Sequence, residues 1–301
     1  MKIVAKSILN KEQIMDKVNK GCDALELQLG EELYTSPPPH NVKDLFDNNL
    51  LNIIDVYSVH LPLGKHRFDS NLDDVFSSDR IFAFFDGCSI AQKSAKIWNH
   101  PVRLILHFEM DFDKMIRADY ITNHIIKVFN KALKNYPDVI FAIENVIPLL
   151  PKKNGWYLGS IGFDDCAKLV EYLRAKLNTD RFSVVLDTCH AGMSIYYLNA
   201  LYSLLNSKHD TYIIEDFFRA YSEYCDTIHL CTFTGDGFYE NHGIGFKDNI
   251  ELLEEYLNLW NRYTKNAALV LELREDNYLN SINFYENSLL VKKYSDSFRD
   301  I

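Results

Sequence analysis

Six side chains of a kind that an apolar core does not choose stand at the ends of hydrophobic runs in this chain: His60, His107, Glu144, Asp187, His229 and Glu272. Imidazole and carboxylate are the groups that combine proton transfer near neutral pH with metal ligation. Singly, each has an ordinary reading, because a histidine at a strand end often only donates to a backbone carbonyl and a lone glutamate is usually solvated. Their recurrence argues for more. Val-Val-Leu-Asp187 and Leu-Val-Leu-Glu272 carry acids straight out of apolar segments, and several acids in one buried pit are costly unless cations offset them. Oxygen and imidazole donors in similar number suit Zn2+ or Mn2+. Asp187-Thr188-Cys189-His190 adds an imidazole three residues from a carboxylate, and Glu240-Asn241-His242 adds a pair two apart that points one way on extended chain.

Residues so far apart meet only in a fold that gathers strand ends. Short runs rich in β-branched and aromatic residues recur at approximately 2–5, 24–29, 54–60, 102–107, 140–144, 183–187, 227–231 and 268–273. Between them lie helical stripes such as Ile121, Ile125, Phe129 and Leu133, or Ile250, Leu253, Leu257 and Trp260. Eight strands with seven or eight helices predict an α/β protein of one domain, residues 1–301, folded as a (β/α)8 TIM barrel. The polar residues separate this from an open doubly wound sheet. A barrel converges its strand ends on one C-terminal rim, where they form a site, whereas an open sheet spreads them. Segments 30–41, 145–162 and 232–247 follow strands and are expected to overhang that rim as loops.

Composition narrows the function. The 42 acidic against 32 basic residues give a formal charge of −10, which disfavours a broad nucleic-acid footprint, although bound metal would cancel acids where a phosphate docks. Six cysteines show no close C-x-x-C pairing, so reduced and mostly buried thiols are expected. The chain opens without a signal-peptide pattern and holds no run of about 18 apolar residues. A cytoplasmic protein with no membrane partner is expected, its oligomeric state left open.

The motifs carry a resemblance that spans most of the barrel and is sharp in short segments. Leu186-Asp187-Thr188-Cys189-His190-Ala191, and Ile228-His229-Leu230 followed by an acid-x-His pair and Ile244-Gly245, resemble signatures of the endonuclease IV family of abasic-site endonucleases. That family belongs to the xylose isomerase-like TIM-barrel superfamily. The resemblance implies that His60 and His107 serve one zinc and that Glu144 bridges a pair of ions. It implies further that Asp187, His190, His229 and Glu272 complete the inner sites, and that Glu240 and His242 serve a third zinc. The chain departs from the pattern in having Glu240 where the family has Asp, Phe108-Glu109 where it turns with Pro-Gly, and Leu-Pro-Leu-Gly-Lys without a tyrosine after His60.

Two enzymatic expectations follow. In a multi-zinc phosphoesterase, Glu144 and Glu272 hold and orient the attacking water, and Lys65, Arg67, Lys152 and Lys153 in rim loops receive the phosphate of a phosphodiester, with DNA a weakly held substrate. In a single-metal isomerase or epimerase, Glu144, Asp187, His229 and Glu272 bind one Mn2+-type ion. There Glu144 and Glu272 shuttle a proton on a small sugar, and His60 and His107 merely line the pocket. A barrel that kept its ligands without turnover, acting as a sensor, is the third reading.

Overall fold

The structure, a computed structural model, describes residues 1–34, 49–63, 78–107, 119–146, 149–152, 155–158, 163–204, 211–234 and 242–296. Eight parallel strands run in chain order as β1 (Ile3–Ile8), β2 (Ala24–Gln28), β3 (Val56–His60), β4 (Val102–His107), β5 (Val139–Glu144), β8 (Phe182–Asp187), β9 (Cys225–His229) and β12 (Ala268–Leu271). They close into a barrel in which β1 pairs with both β2 and β12. Around it lie α1 (Lys11–Asn19), α2 (Ser78–Trp98), α3 (Asp119–Asn135), α4 (Asp165–Leu177), α5 (Thr188–Leu204), α6 (Ile214–Tyr221), α7 (Ile250–Tyr263) and α8 (Ile282–Asp296). The expected (β/α)8 barrel is therefore the fold.

The two-residue period of a strand explains both the core and the site. Outward positions such as Leu25, Leu27, Leu104, Leu106, Phe141, Ile143, Val184, Leu186 and Leu269 join one large buried cluster with the helices. The helices meet them with matching stripes: Ile125, Phe129 and Ala132 on α3, and Leu253, Leu257 and Trp260 on α7, are buried. The Asn249 side chain starts α7 by accepting from the Leu252 amide at 3.3 Å. Inward positions form small apolar groups, Val4, Ala24, Tyr57, Ala268 and Val270 in one and Ile105, Ala142 and Val185 in another. Two residues further along the same strands the inward side chains are Lys6, Glu26, His107, Glu144, Asp187 and Glu272. The barrel interior thus changes from apolar to ionisable within one step of the pleat.

Its opposite end is closed by paired charges. The Arg103 Nε donates to Asp226 at 3.0 Å and its guanidinium lies 4.3 Å from the Tyr57 ring centroid. The Tyr57 hydroxyl donates to the Asp226 carbonyl at 2.6 Å, and Lys2 and His100 each reach Asp55 at 2.6 Å. This explains why β9 starts at Cys225, two residues earlier than hydropathy places it: Asp226 sits inside the strand because Arg103 neutralises it.

Two of the expected loops contain strand pairs. Segment 145–162 carries the antiparallel pair β6 (Leu149–Lys152) and β7 (Gly155–Leu158), and segment 232–247 carries β10 (Thr232–Phe233) against β11 (His242–Ile244). Of the expected site residues, Lys65, Arg67, Lys153 and Glu240 lie outside the described residues, while Lys152 stands on β6 opposite Gly155. Among the described residues no helix is long and apolar enough to cross a membrane.

Candidate metal centre

Register alone assembles most of the site. Lys6 sits opposite Glu26, His107 opposite Glu144, and Asp187 opposite His229, so strands far apart in sequence present their polar residues at one level. His60 follows two strands away, one pleat above Ser58, which is itself opposite Glu26.

Glu144, buried to 1% exposure, is the hub. Its Oε2 lies 3.0 Å from His60 Nε2 and 3.2 Å from His107 Nε2, while its Oε1 lies 3.1 Å from His229 Nδ1. The His229 Nδ1 is also 2.8 Å from Glu272 Oε2 and 3.9 Å from Asp187 Oδ2. Two sets of donor atoms meet at Glu144: His60, His107 and Glu144 in one and Glu144, Asp187, His229 and Glu272 in the other, each with its atoms within 4.8 Å of one another. Glu144 belongs to both.

Two imidazoles are fixed by backbone carbonyls, His60 within a donor set and His190 outside all of them. His60 Nδ1 donates to the Leu61 carbonyl at 2.7 Å, since a carbonyl can only accept, so in the neutral ring the lone pair is on Nε2, the nitrogen that faces Glu144. His190 Nδ1 donates to the Asn145 carbonyl at 2.8 Å, which fixes the same tautomer, and it lies 3.7 Å from both Asp187 and Glu144. Burial depresses the pKa of His60, with the Lys6 charge adding to the effect, and burial likewise depresses that of His190. His242, on β11, places Nε2 3.4 Å from Asp187 Oδ2 and its ring 4.8 Å from that of His190. Gly243 beside it has φ +81°, and a Cβ there would come within 3.1 Å of Arg274 Cγ.

Asn145 clips the two central strands together. Its amide nitrogen donates to the Asp187 carbonyl at 3.0 Å and its oxygen accepts from the Asp187 amide at 2.7 Å, extending the sheet by a side chain. Asp187 Oδ1 then accepts from the His190 amide at 2.7 Å, which turns Oδ2 to the donors.

Two residues that carry much of the electrostatics escaped the sequence reading. Glu26, fully buried on β2, accepts from Ser58 Oγ at 2.8 Å and faces His229 Nε2 at 3.1 Å. With Nδ1 of His229 turned to the centre, Glu26 is the outer carboxylate that fixes its tautomer and raises its basicity. Lys6 Nζ stands 2.8 Å from Glu272 and 3.4 Å from Glu26. The signal was present in both cases, as an ionisable residue in the middle of an apolar strand run.

Burial alone would raise the pKa of every one of these carboxyls. Instead His229 and Lys6 hold Glu26 down at about 2, His229 and His107 hold Glu144 well below its ordinary value, Lys6 and His229 do so for Glu272, and His190 and His242 lower Asp187. Burial also works against a charge on His229, yet Glu26, Glu144 and Glu272 outweigh it and raise that ring's pKa well above the usual histidine value. Four ionised carboxylates thus face a single ammonium, Lys6, among the described inward side chains. The surplus is met by protons on the imidazoles or by divalent ions on the same atoms, and the mixed nitrogen and oxygen donor sets fit the latter.

Beside the centre opens a cavity of about 410 Å3 whose wall includes Lys6, Gln28, His242, Glu272, Arg274 and Tyr278. It is the size of a small-molecule site. Arg274, two residues beyond Glu272, supplies a guanidinium where the sequence reading had looked to the lysines of the rim loops.

No known family's sequence profile matches the chain, and no curated protein matches its sequence. Solved structures match it in fold over nearly its whole length. A xylose isomerase domain containing protein from Salmonella typhimurium LT2 superposes with a TM-score of 0.56 at 10% identity, covering 98% of this chain and 97% of that one. A D-allulose 3-epimerase from Methylomonas sp. gives 0.54 at 9% identity, covering 99% and 97%, and an AP endonuclease, family 2, from Brucella melitensis gives 0.52 at 10% identity, covering 95% and 98%. At such identities the likeness is one of fold: this is a TIM barrel.

Proposed function

We propose that the protein is a metal-dependent phosphoesterase that hydrolyses a phosphodiester, with Zn2+ as its metal. The observation that supports this reading is the division of Glu144, whose one oxygen meets His60 and His107 while the other meets His229. A carboxylate shared in this way suits two neighbouring ions, and a one-metal isomerase has no use for the His60 and His107 pair. His60, His107 and Glu144 would hold one ion, and Glu144, Asp187, His229 and Glu272 a second. Under the endonuclease IV resemblance, His190 would join the inner sites, and Glu240 and His242 would serve a third ion. Divalent ions bound there supply Lewis acidity, which lowers the pKa of water and offsets charge on a phosphoryl group.

The chain's own residues do the rest. Glu26 keeps His229 aligned, Asn145 fixes Asp187, and Lys6 holds Glu272 ionised and in place. Arg274 in the cavity wall presents a donor fork suited to phosphate oxygens. A cavity of about 410 Å3 and a net charge of −10 favour a small phosphodiester over duplex DNA, whose binding draws on many neutralised phosphates.

The same cavity gives the second reading its support. Gln13, Gln28 and Glu272 in its wall would suit an epimerase of a small sugar using one Mn2+-type ion. Metal analysis and a substrate panel decide between them. Two or three zinc ions per chain, with zinc-dependent cleavage of bis(p-nitrophenyl) phosphate that His107→Ala reduces along with one equivalent of metal, is the expected result. One ion per chain, no phosphodiester cleaved and a ketose epimerised with Mn2+ would overturn it.

A further inference from the structure

The sequence reading gave cysteine no part in the centre, because none of the six lies in a C-x-x-C motif. The fold alters that. Cys189 sits in the first turn of α5, directly after β8, and Cys231 lies two residues past the end of β9. As β8 and β9 pair with Asp187 opposite His229, the two thiols come out on the same side of the rim. Both are fully buried and neither is in a disulfide.

Their surroundings are built rather than incidental. Thr188 Oγ1 donates to the Cys231 carbonyl at 2.7 Å and accepts from the Cys231 amide at 3.2 Å, fixing the backbone that carries one thiol to the backbone that carries the other. The β10–β11 pair then folds back over α5. Its approach is close enough that a Cβ on Gly192 would lie 2.6 Å from the Phe233 ring, so a side chain there would push the pair away. That approach delivers His242. One of its ring nitrogens, the two Sγ atoms and an Asp187 oxygen lie within 4.8 Å of one another, all four residues buried. Met193 packs on the two cysteines and Tyr197, Phe233 and Leu273 surround them, which excludes water from the sulfur side.

The geometry points to a thiolate metal site formed by Cys189, Cys231, His242 and Asp187, separate from the nitrogen and oxygen centre at Glu144 and joined to it through Asp187. Two sulfurs, one imidazole and one carboxylate are four ligands of the kinds zinc takes. Zinc–sulfur bonds of about 2.3 Å place tetrahedral donors about 3.8 Å apart, so side-chain shifts of under about 1 Å close the observed set onto an ion. The soft sulfur donors select Zn2+ over Mg2+ or Mn2+, while the Glu144 sets, free of sulfur, accept the harder ions. With four protein ligands and an apolar wall on one side, the site has the closed character of a structural metal, tying the β10–β11 pair to α5 and the strand ends. It also gives His242 a role that does not call on Glu240. This inference does not rest on phosphodiester hydrolysis and holds equally for an epimerase.

Cobalt substitution tests it directly. The full-length protein, reduced and with all six thiols counted after unfolding, is stripped of metal and loaded with Co2+. The expected spectrum shows intense near-ultraviolet absorption from thiolate-to-cobalt charge transfer beside the weaker visible bands of the Glu144 sets. Cys231→Ser should lose about half of the charge-transfer intensity. The double variant Cys189→Ser/Cys231→Ser should lose all of it together with one equivalent of metal. Cobalt-loaded wild type without charge-transfer absorption, a double variant that keeps it, or a native protein with four thiols and a disulfide would each overturn the assignment. Cadmium-113 NMR of the wild type serves if the variants do not fold, where a resonance in the sulfur-ligated range supports the site and resonances only in the oxygen and nitrogen range refute it.

Discussion

The two ends of this barrel treat charge in opposite ways. At the end where the strands begin, each ion has its partner: Arg103 meets Asp226 and packs on Tyr57, and Lys2 and His100 share Asp55. At the end where they finish, Glu26, Glu144, Asp187 and Glu272 gather around Lys6 and a set of imidazoles, and no pairing of the described residues balances them. Both ends are built from the same strands and the same pleat. The difference shows what electrostatics is for in each place. Paired charges close a surface at little electrostatic cost, whereas a surplus is kept where a cation is to be held.

Neutralising one charge at each end should therefore show in different readouts. Glu144→Gln keeps the shape and loses the charge that joins the two donor sets, and should lower turnover by about 1,000-fold or more. A variant of near-normal activity would remove Glu144 from the chemistry. At the other end, Arg103→Met leaves Asp226 facing an apolar ring, and a loss of about 2 kcal/mol in denaturant unfolding is expected with metal content unchanged. If instead the metal is lost and stability kept, the two ends are not independent.

Glu26→Gln is a finer probe. Ser58 and the strand remain, but the carboxylate behind His229 is gone, so metal affinity should fall about 10- to 100-fold, read by competition with a chelator, while the fold holds. The smallest effect belongs to Asp55. Burial would raise its pKa, but hydrogen bonds from Lys2 and His100 outweigh it and leave the carboxyl below its unfolded value of 3.8. A depressed folded pKa gives stability that is present above about 3.8 and lost as the pH falls through the folded value. Asp55→Asn should cost no more than about 1 kcal/mol at pH 7, and the difference from wild type should vanish in strong acid. A difference that grows in acid would show that the pairing is not what stabilises this end.

Much of the centre could be read from the chain because of one rule, that an ionisable residue closing an apolar run has left the core at a strand end. That rule found His60, His107, Glu144, Asp187, His229 and Glu272, and the fold brings all six together. It missed Glu26 and Lys6, which stand inside their strands, because alternation alone does not tell an inward acid in a barrel from an outward one on a half-exposed sheet. It gave the cysteines no part, since their closeness depends on β8 pairing with β9 and no local spacing reports that. Arg274 was passed over for the opposite reason: next to Glu275 it reads as surface charge, yet it follows Glu272 by one pleat and so borders the cavity.

The joining of the barrel's first and last elements sets the order in which this protein can come into being. Lys17 on α1 reaches Glu275 across 258 residues, and Glu275 in turn accepts from the Asn283 and Phe284 amides at the start of α8. Asp16 takes the Ser281 amide in the same seam. Lys6 and Glu272 lie on either side of it, on the first strand and just past the last, so the ammonium and the carboxylate meet only once that seam is shut. A nascent chain emerging from the ribosome has its other ligands before it has Glu272, and it cannot complete the second donor set until the last barrel strand has been made. Capture of an ion at that site would thus be an event of maturation, falling after the last strand has docked.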